Sequence, residues 1–327
     1  MKPTLFIIFF IFTAAVLAQP PYSGTIFIDP DIITASDPSA LESTTYKGQK
    51  VVTMYDRRVS DWVSVNAYLF DVVWNDGLTC VAQVNPEFED VEAAAVEAEK
   101  YAFLIGQLPH CLREDINEIW IHKGVELFGG GNHSILIHTG QSSNYERDGI
   151  IEETLVHEAC HTSLDATHAA AAGWLNAQQK DGTFISTYAR DNSKTEDVAE
   201  SFLPWLAVKY RKADLSDTDY NKITGTIPNR LAYFDAENFN LYPFEQSETA
   251  INHIVQDLTL YPNPVDDVIM FEGVIAENSS FRIYNLTGID VTNQTICTGE
   301  SYYLSGLPAG CYTVKVDSHA FKVYKQH

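Results

Sequence analysis

Ile150-Ile151-Glu152-Glu153-Thr154-Leu155-Val156-His157-Glu158-Ala159-Cys160-His161-Thr162-Ser163-Leu164 is free of proline. Its apolar residues Ile150, Ile151, Leu155, Val156, Ala159 and Leu164 recur at helical intervals, so a helix is expected over about 149–165. Residues four apart on a helix share a face, with Cβ atoms about 6 Å apart. His157 and His161 therefore project together and can share one metal ion, for which Zn2+ is the expected choice. Glu158 stands about 100° further round, beside that ion rather than on it. From there a carboxylate can polarise a metal-activated water and carry its proton to a leaving group. Cys160 points away from the histidine face and reads as a small packing residue.

A catalytic zinc holds three protein ligands and leaves a fourth position open. His168 is a poor third candidate. A metzincin pattern wants glycine at 164 and histidine at 167, whereas this chain has Leu164 and its histidine one place late. Thr195-Glu196-Asp197-Val198-Ala199-Glu200-Ser201-Phe202 is better. Glu196 and Glu200 share a helical face, where like charges cost about 0.3 kcal/mol on a bare helix. A metal would relieve that, with one carboxylate ligating and the other orienting a histidine. Ser193-Lys194-Thr195-Glu196 also fits a capping box, which would leave Glu200 as the ligand. Glu196 is the first choice and Glu200 the alternative.

His157-Glu158-x-x-His161 followed by Glu196-x-x-x-Glu200 resembles the gluzincin branch of zinc peptidases. Phe184-Ile185-Ser186-Thr187-Tyr188-Ala189 ahead of the glutamates is similar to a stretch of the anthrax-lethal-factor-like branch. The resemblance covers roughly residues 130–212. It implies a zincin-like catalytic domain, a mixed sheet with active-site helices. It also implies that Tyr188 helps to stabilise the transition state.

Outward from the motif, the order of elements is α+β. Residues 22–85 read as strands and turns, including a short β-rich run at Gly24–Ile28. Asn66–Trp74 and Leu78–Val84 form a hairpin across the Asp-Gly turn signal of Asn75-Asp76-Gly77. A helix is expected over 88–107, where Val91, Ala94, Ala95, Ala98, Ala102 and Ile105 recur at helical spacing. Strands follow at Glu118–His122 and Ser134–His138. Ser134–Thr139 is a candidate edge strand for pairing with an extended peptide, with an ordinary core strand as the equal alternative. His133 and His138 beside it read as strand histidines, with an oxyanion role as the alternative. Gly129-Gly130-Gly131 lacks the Lys-Ser/Thr of a phosphate loop and reads as a flexible turn. Further helices are expected at 168–179 and 194–212, the last kinked or split at Pro204. Residues 213–255 look polar and turn-rich.

The 327 residues carry a formal charge of −23, which argues against nucleic-acid binding. Apolar residues make up 45%, enough for a core. Lys2, the apolar run from Leu5 to Leu17, and Val16 and Ala18 read as a signal peptide cleaved after Ala18. Export permits disulfides. Cys80–Cys111 and Cys297–Cys311 are the expected pairs, leaving Cys160 odd.

From Leu258 onward short strands alternate with turns, as in a small all-β sandwich. Leu260-Tyr261-Pro262-Asn263-Pro264, Phe281–Gly288 and Leu304–Val316 resemble the C-terminal sorting domain of type IX (Por) secretion. That resemblance implies a Gram-negative bacterial protein, secreted or held at the cell surface, with the type IX machinery as partner. The expected organisation is therefore a leader (1–18), a zincin-like unit (19–245), a linker (246–257) and a sorting domain (258–327). The expected function is a monomeric secreted zinc metallopeptidase acting on peptides or proteins, with Glu158 as general base. The alternative is a non-enzymatic surface or binding protein with a structural or degenerate zinc site.

Overall fold

The computed structural model describes residues 19–28, 32–244, 259–272, 281–285, 289–298, 301–316 and 319–326. The expected leader and linker lie outside them. The chain divides into two compact units, Met1–Glu248 and Thr249–His327.

In the first unit, β1 (Leu41–Asp56), β2 (Asp61–Trp74), β3 (Thr79–Val84), β4 (Glu118–His122), β5 (Gly129–Gly131) and β6 (Ser134–His138) form one sheet, ordered β1-β2-β3-β4-β6-β5. β1, β2 and β3 are antiparallel neighbours. β3, β4 and β6 run parallel, which requires a crossover between β3 and β4. Helices α1 (Val91–Gly106) and α2 (His110–Arg113) supply it. The Asp90 side chain caps α1 by accepting from Ala93 N at 2.8 Å.

Side chains alternate across the strands with the period of two that a pleated sheet demands. Ile119, Ile121, Ile135 and Ile137 join Ala98, Ala102, Leu155, Val156 and Ala159 in the main core. Trp120 and Leu136 belong instead to a smaller cluster with Met54 and Ala67.

The helical part continues with α3 (Thr139–Asp148), α4 (Ile151–Ser163), α5 (Asp165–His168), α6 (Ala172–Asp181), α7 (Thr187–Asp191), α8 (Asp197–Tyr210), α9 (Asp217–Thr226) and α10 (Pro228–Glu237). The last two occupy the stretch expected to be turns. α9 buries Ile223, and α10 buries Arg230, Leu231 and Phe234. Arg230 of α10 is fully buried and pairs with Asp181 of α6 and Asp197 of α8, both at 2.9 Å. Leaving one partner of such a buried pair alone costs about 3–5 kcal/mol. This network therefore anchors the first turn of α8, the turn that holds the two glutamates.

Several expectations need correction. Gly129–Gly131 is a strand and takes the sheet edge; of the two readings of Ser134–Thr139, the interior strand holds, since β6 is flanked by β4 and β5. Gly24–Ile28 is a turn. α8 continues through Pro204 as one helix rather than splitting there. Cys80 and Cys111 are buried free thiols, and burial raises both pKa values further. Cys311 is likewise free, on a strand of the other sheet from Cys297.

The second unit is all-β. Strands β7 (Thr259–Tyr261), β8 (Val268–Glu272), β9 (Phe281–Asn285), β10 (Ile296–Thr298), β11 (Ser301–Tyr303), β12 (Gly310–Val316) and β13 (His319–Lys325) form two sheets, ordered β10-β11-β8-β7 and β13-β12-β9. Residues from both sheets, among them Ile269, Phe271, Ile283 and Val314, share one core.

Candidate metal centre

Helix α4 buries most of its side chains, yet one stripe opens into a cleft of about 960 Å³. His157 and His161 lie on that stripe one turn apart, with Nε2 atoms 3.2 Å from each other. Glu196, at the N-terminal boundary of α8, brings Oε2 to 3.3 Å from His157 Nε2 and 3.2 Å from His161 Nε2. Among the described residues these three form the only cluster of three or more metal-ligating groups. The capping-box alternative does not form: the helix starts at Asp197 with Glu196 rather than Ser193 as its N-cap, and the Glu196 carboxylate faces the imidazoles.

The far side of each imidazole meets a carboxylate. His161 Nδ1 donates to Asp165 Oδ2 at 2.8 Å. His157 Nδ1 faces Glu200 Oε1 at 3.5 Å. An ionised carboxylate accepts, so Asp165 holds a proton on His161 Nδ1, and the Nε2 atoms of both histidines face Glu196, where they would ligate once deprotonated. Three electron-rich atoms then converge at 3.2–3.3 Å. Corners of a zinc tetrahedron with bonds of about 2.0–2.1 Å are about 3.4 Å apart. The donor set fits that ion in type, number and spacing.

Without a metal, protons hold the cluster together. Burial alone would lower the His161 pKa, but Asp165 and Glu196 outweigh it and lift it to about 10. Burial would raise Glu196, yet His157 and His161 draw its pKa well below the carboxylate range. Glu200 goes the other way: burial raises its pKa, only partly offset by hydrogen bonds from Ser186 and the Thr25 backbone. Glu196 is thus the carboxylate that faces both Nε2 atoms, and Glu200 lies behind His157.

Glu158 lines the same cleft beside the histidines. Tyr188 of α7 lies across it, its ring stacked at 6.4 Å from His157 and 45% exposed. Burial and the Glu196 carboxylate push its hydroxyl pKa up to about 12, so it remains a hydrogen-bond donor. Ser186 caps α7 through Ala189 N at 2.9 Å. The N-terminal segment braces this short helix: Thr187 N donates to Tyr22 O and Tyr188 N to Ser23 O, at 2.9 and 3.1 Å.

Strand β5 forms the opposite wall. A Cβ on Gly130 would sit 1.8 Å from Glu158 O, so only glycine allows this contact. Gly131 N donates to Thr162 Oγ1 at 2.8 Å, and Thr162 Oγ1 to Ser134 O at 3.0 Å, tying the strand to α4.

The other expected positions lie elsewhere. His138 is buried, bonded to Lys123 O and stacked on His122. His133 contacts Asp115 O at 3.3 Å, and neither histidine lines the cleft. His168 bonds the Tyr233 hydroxyl at 2.7 Å. Cys160 is fully buried in the core. Asp165 was missed as an orienting group, although its spacing of four from His161 was legible.

Residues 259–327 match the family model described as a secretion system C-terminal sorting domain. This tail marks the protein as secreted or displayed at the cell surface through type IX secretion, and makes that machinery its partner. No curated protein and no solved structure matched the chain in these comparisons.

Proposed function

We propose that the first unit is a zincin-like, zinc-dependent metallopeptidase of the gluzincin kind, acting on peptides or proteins outside the cell. The observation that carries this reading is the convergence of His157 Nε2, His161 Nε2 and Glu196 Oε2 in an open cleft, with Glu158 alongside. A structural zinc would instead be closed off by a fourth protein ligand. Peptide is favoured as substrate because β5 pairs with β6 on one side and borders the cleft with the other. An extended chain can add to such an edge through backbone hydrogen bonds.

His157, His161 and Glu196 would hold the zinc. When bound, zinc supplies Lewis acidity, polarising a carbonyl and acidifying a water. Glu158 takes the proton from the attacking water and passes it to the departing amine. The Tyr188 hydroxyl donates to the oxygen that gains charge at the attacked carbonyl. Asp165 and Glu200 keep the imidazoles in the tautomers that expose Nε2.

The decisive measurement compares the wild type and Glu158→Gln, both loaded with zinc, on a casein substrate. One zinc per chain in both proteins is expected, with cleavage reduced about 10²–10⁴-fold in the variant. Equal cleavage by both would sink this mechanism. One tightly held zinc with no cleavage by the wild type would return the protein to the non-enzymatic alternative.

A further inference from the structure

The turn between β1 and β2 presents two neighbouring arginines with different fates. Arg58 is consumed locally: it pairs with Asp56 and Glu87, both at 2.8 Å. Arg57 has no ion pair or side-chain hydrogen bond among the described residues. Its guanidinium instead reaches across to β5, where a Cβ on Gly129 would lie 3.0 Å from Nη2. It also lines the cleft, and among the described residues there it is the only lysine or arginine. Every other charged side chain in that lining is acidic or belongs to the histidine pair: Asp148, Glu158, Asp165, Glu196 and Glu200 accompany it. In a chain of formal charge −23, one unpaired cation at the rim of an acidic cleft creates a local reversal of sign.

We propose that Arg57 sets the specificity of this cleft by receiving an acidic side chain of the substrate, aspartate or glutamate. The assignment rests on the peptidase reading above. A chain laid along β5 advances about 3.3 Å per residue. Gly130 rests on the Glu158 backbone, and Gly129, beside Arg57, is its neighbour. The acidic residue therefore stands within about two residues of the bond held over Glu158. A guanidinium presents paired donors that match a carboxylate. An amide of the same shape lacks the charge, and a basic side chain is repelled.

The test uses the full secreted protein, zinc-loaded, and a hexapeptide library in which each position in turn is Asp, Asn, Glu, Gln or Lys. Cleavage is read by mass spectrometry. Wild type is expected to prefer the acid over its amide at one position by about tenfold. In Arg57→Gln that ratio should fall to about one, and in Arg57→Glu lysine should take the place of the acid. An unchanged ratio in both variants overturns the assignment. The same library is also passed over immobilised Glu158→Gln protein with and without Arg57→Gln. Selective retention of acidic peptides only where Arg57 is present supports the assignment independently of turnover. Indifference to Arg57 there overturns it, whereas a wild type that cleaves nothing counts against the peptidase reading alone.

Discussion

Gly130 and Glu158 are in backbone contact: the space a Cβ of residue 130 would need is taken by Glu158 O, 1.8 Å away. The edge strand is thereby set down on helix α4 at the residue between the two histidines. Gly130→Ala must push β5 off the helix. Overpacking of this kind costs about 1–3 kcal/mol. A fall in Tm of about 2–12 °C is expected for a unit of this size, accompanied by loss of peptide cleavage. An alanine variant with wild-type melting and activity would refute the contact.

Glu196 and Glu200 differ in kind. Glu196→Gln removes an anionic ligand and should abolish stoichiometric zinc binding. Glu200→Gln and Asp165→Asn should retain zinc with about 10–100-fold lower affinity, the usual effect of losing a partner behind a ligating histidine. Competition with a chromophoric chelator at fixed pH reads all three. If Glu200→Gln loses zinc and Glu196→Gln keeps it, the two roles are reversed.

Tyr188 is held as a donor across the cleft, with its pKa pushed up to about 12. Tyr188→Phe should lower kcat by about 10²–10³-fold, the range for one oxyanion donor, with a small change in KM. A variant that raises KM alone would show that Tyr188 binds substrate without assisting the reaction.

Glu153 of α4 ties down the chain ahead of the sheet: Oε1 accepts from Ile32 N at 2.7 Å and Ile33 N at 3.1 Å. Burial outweighs these bonds and raises its pKa from 4.5 to about 7. The native state thus keeps a proton that the unfolded chain has already released. Stability contributed by this group falls as pH rises through about 4.5–7, by at most about 3 kcal/mol. Glu153→Gln preserves an acceptor and removes the titration. Its stability relative to wild type should rise between pH 5 and 8 in urea unfolding; a constant difference would dismiss the effect.

Local signals explain what was readable in advance. The helix over 149–165, the pairing of Asn66–Trp74 with Leu78–Val84 and the strands at 118–122 and 134–138 follow from periodicity and turn chemistry. The shared direction of His157 and His161 follows from their spacing alone. α10 escaped because its Arg230 meets Asp181 and Asp197 across the sequence, whereas α9 carries a local cap, Ser216 accepting from Asp219 N, that was overlooked. The cysteine pairs failed for a similar reason. Cys80 on β3, Cys111 on α2 and Cys311 on β12 are free thiols.

By itself, then, the sequence determined the helix that aligns two histidines and a neighbouring glutamate, and the tail that directs the protein out of the cell. Short-range geometry and a contiguous pattern suffice for both. Only the tertiary structure brought Glu196, rather than Glu200, against both Nε2 atoms, because the two share one helical face and differ only in where α8 meets α4. It also decided that a triple-glycine stretch is the sheet edge and that Arg57, more than 70 residues away from Gly129 along the chain, borders the same cleft. Those relationships come from long-range packing of strand on helix, which no local periodicity encodes.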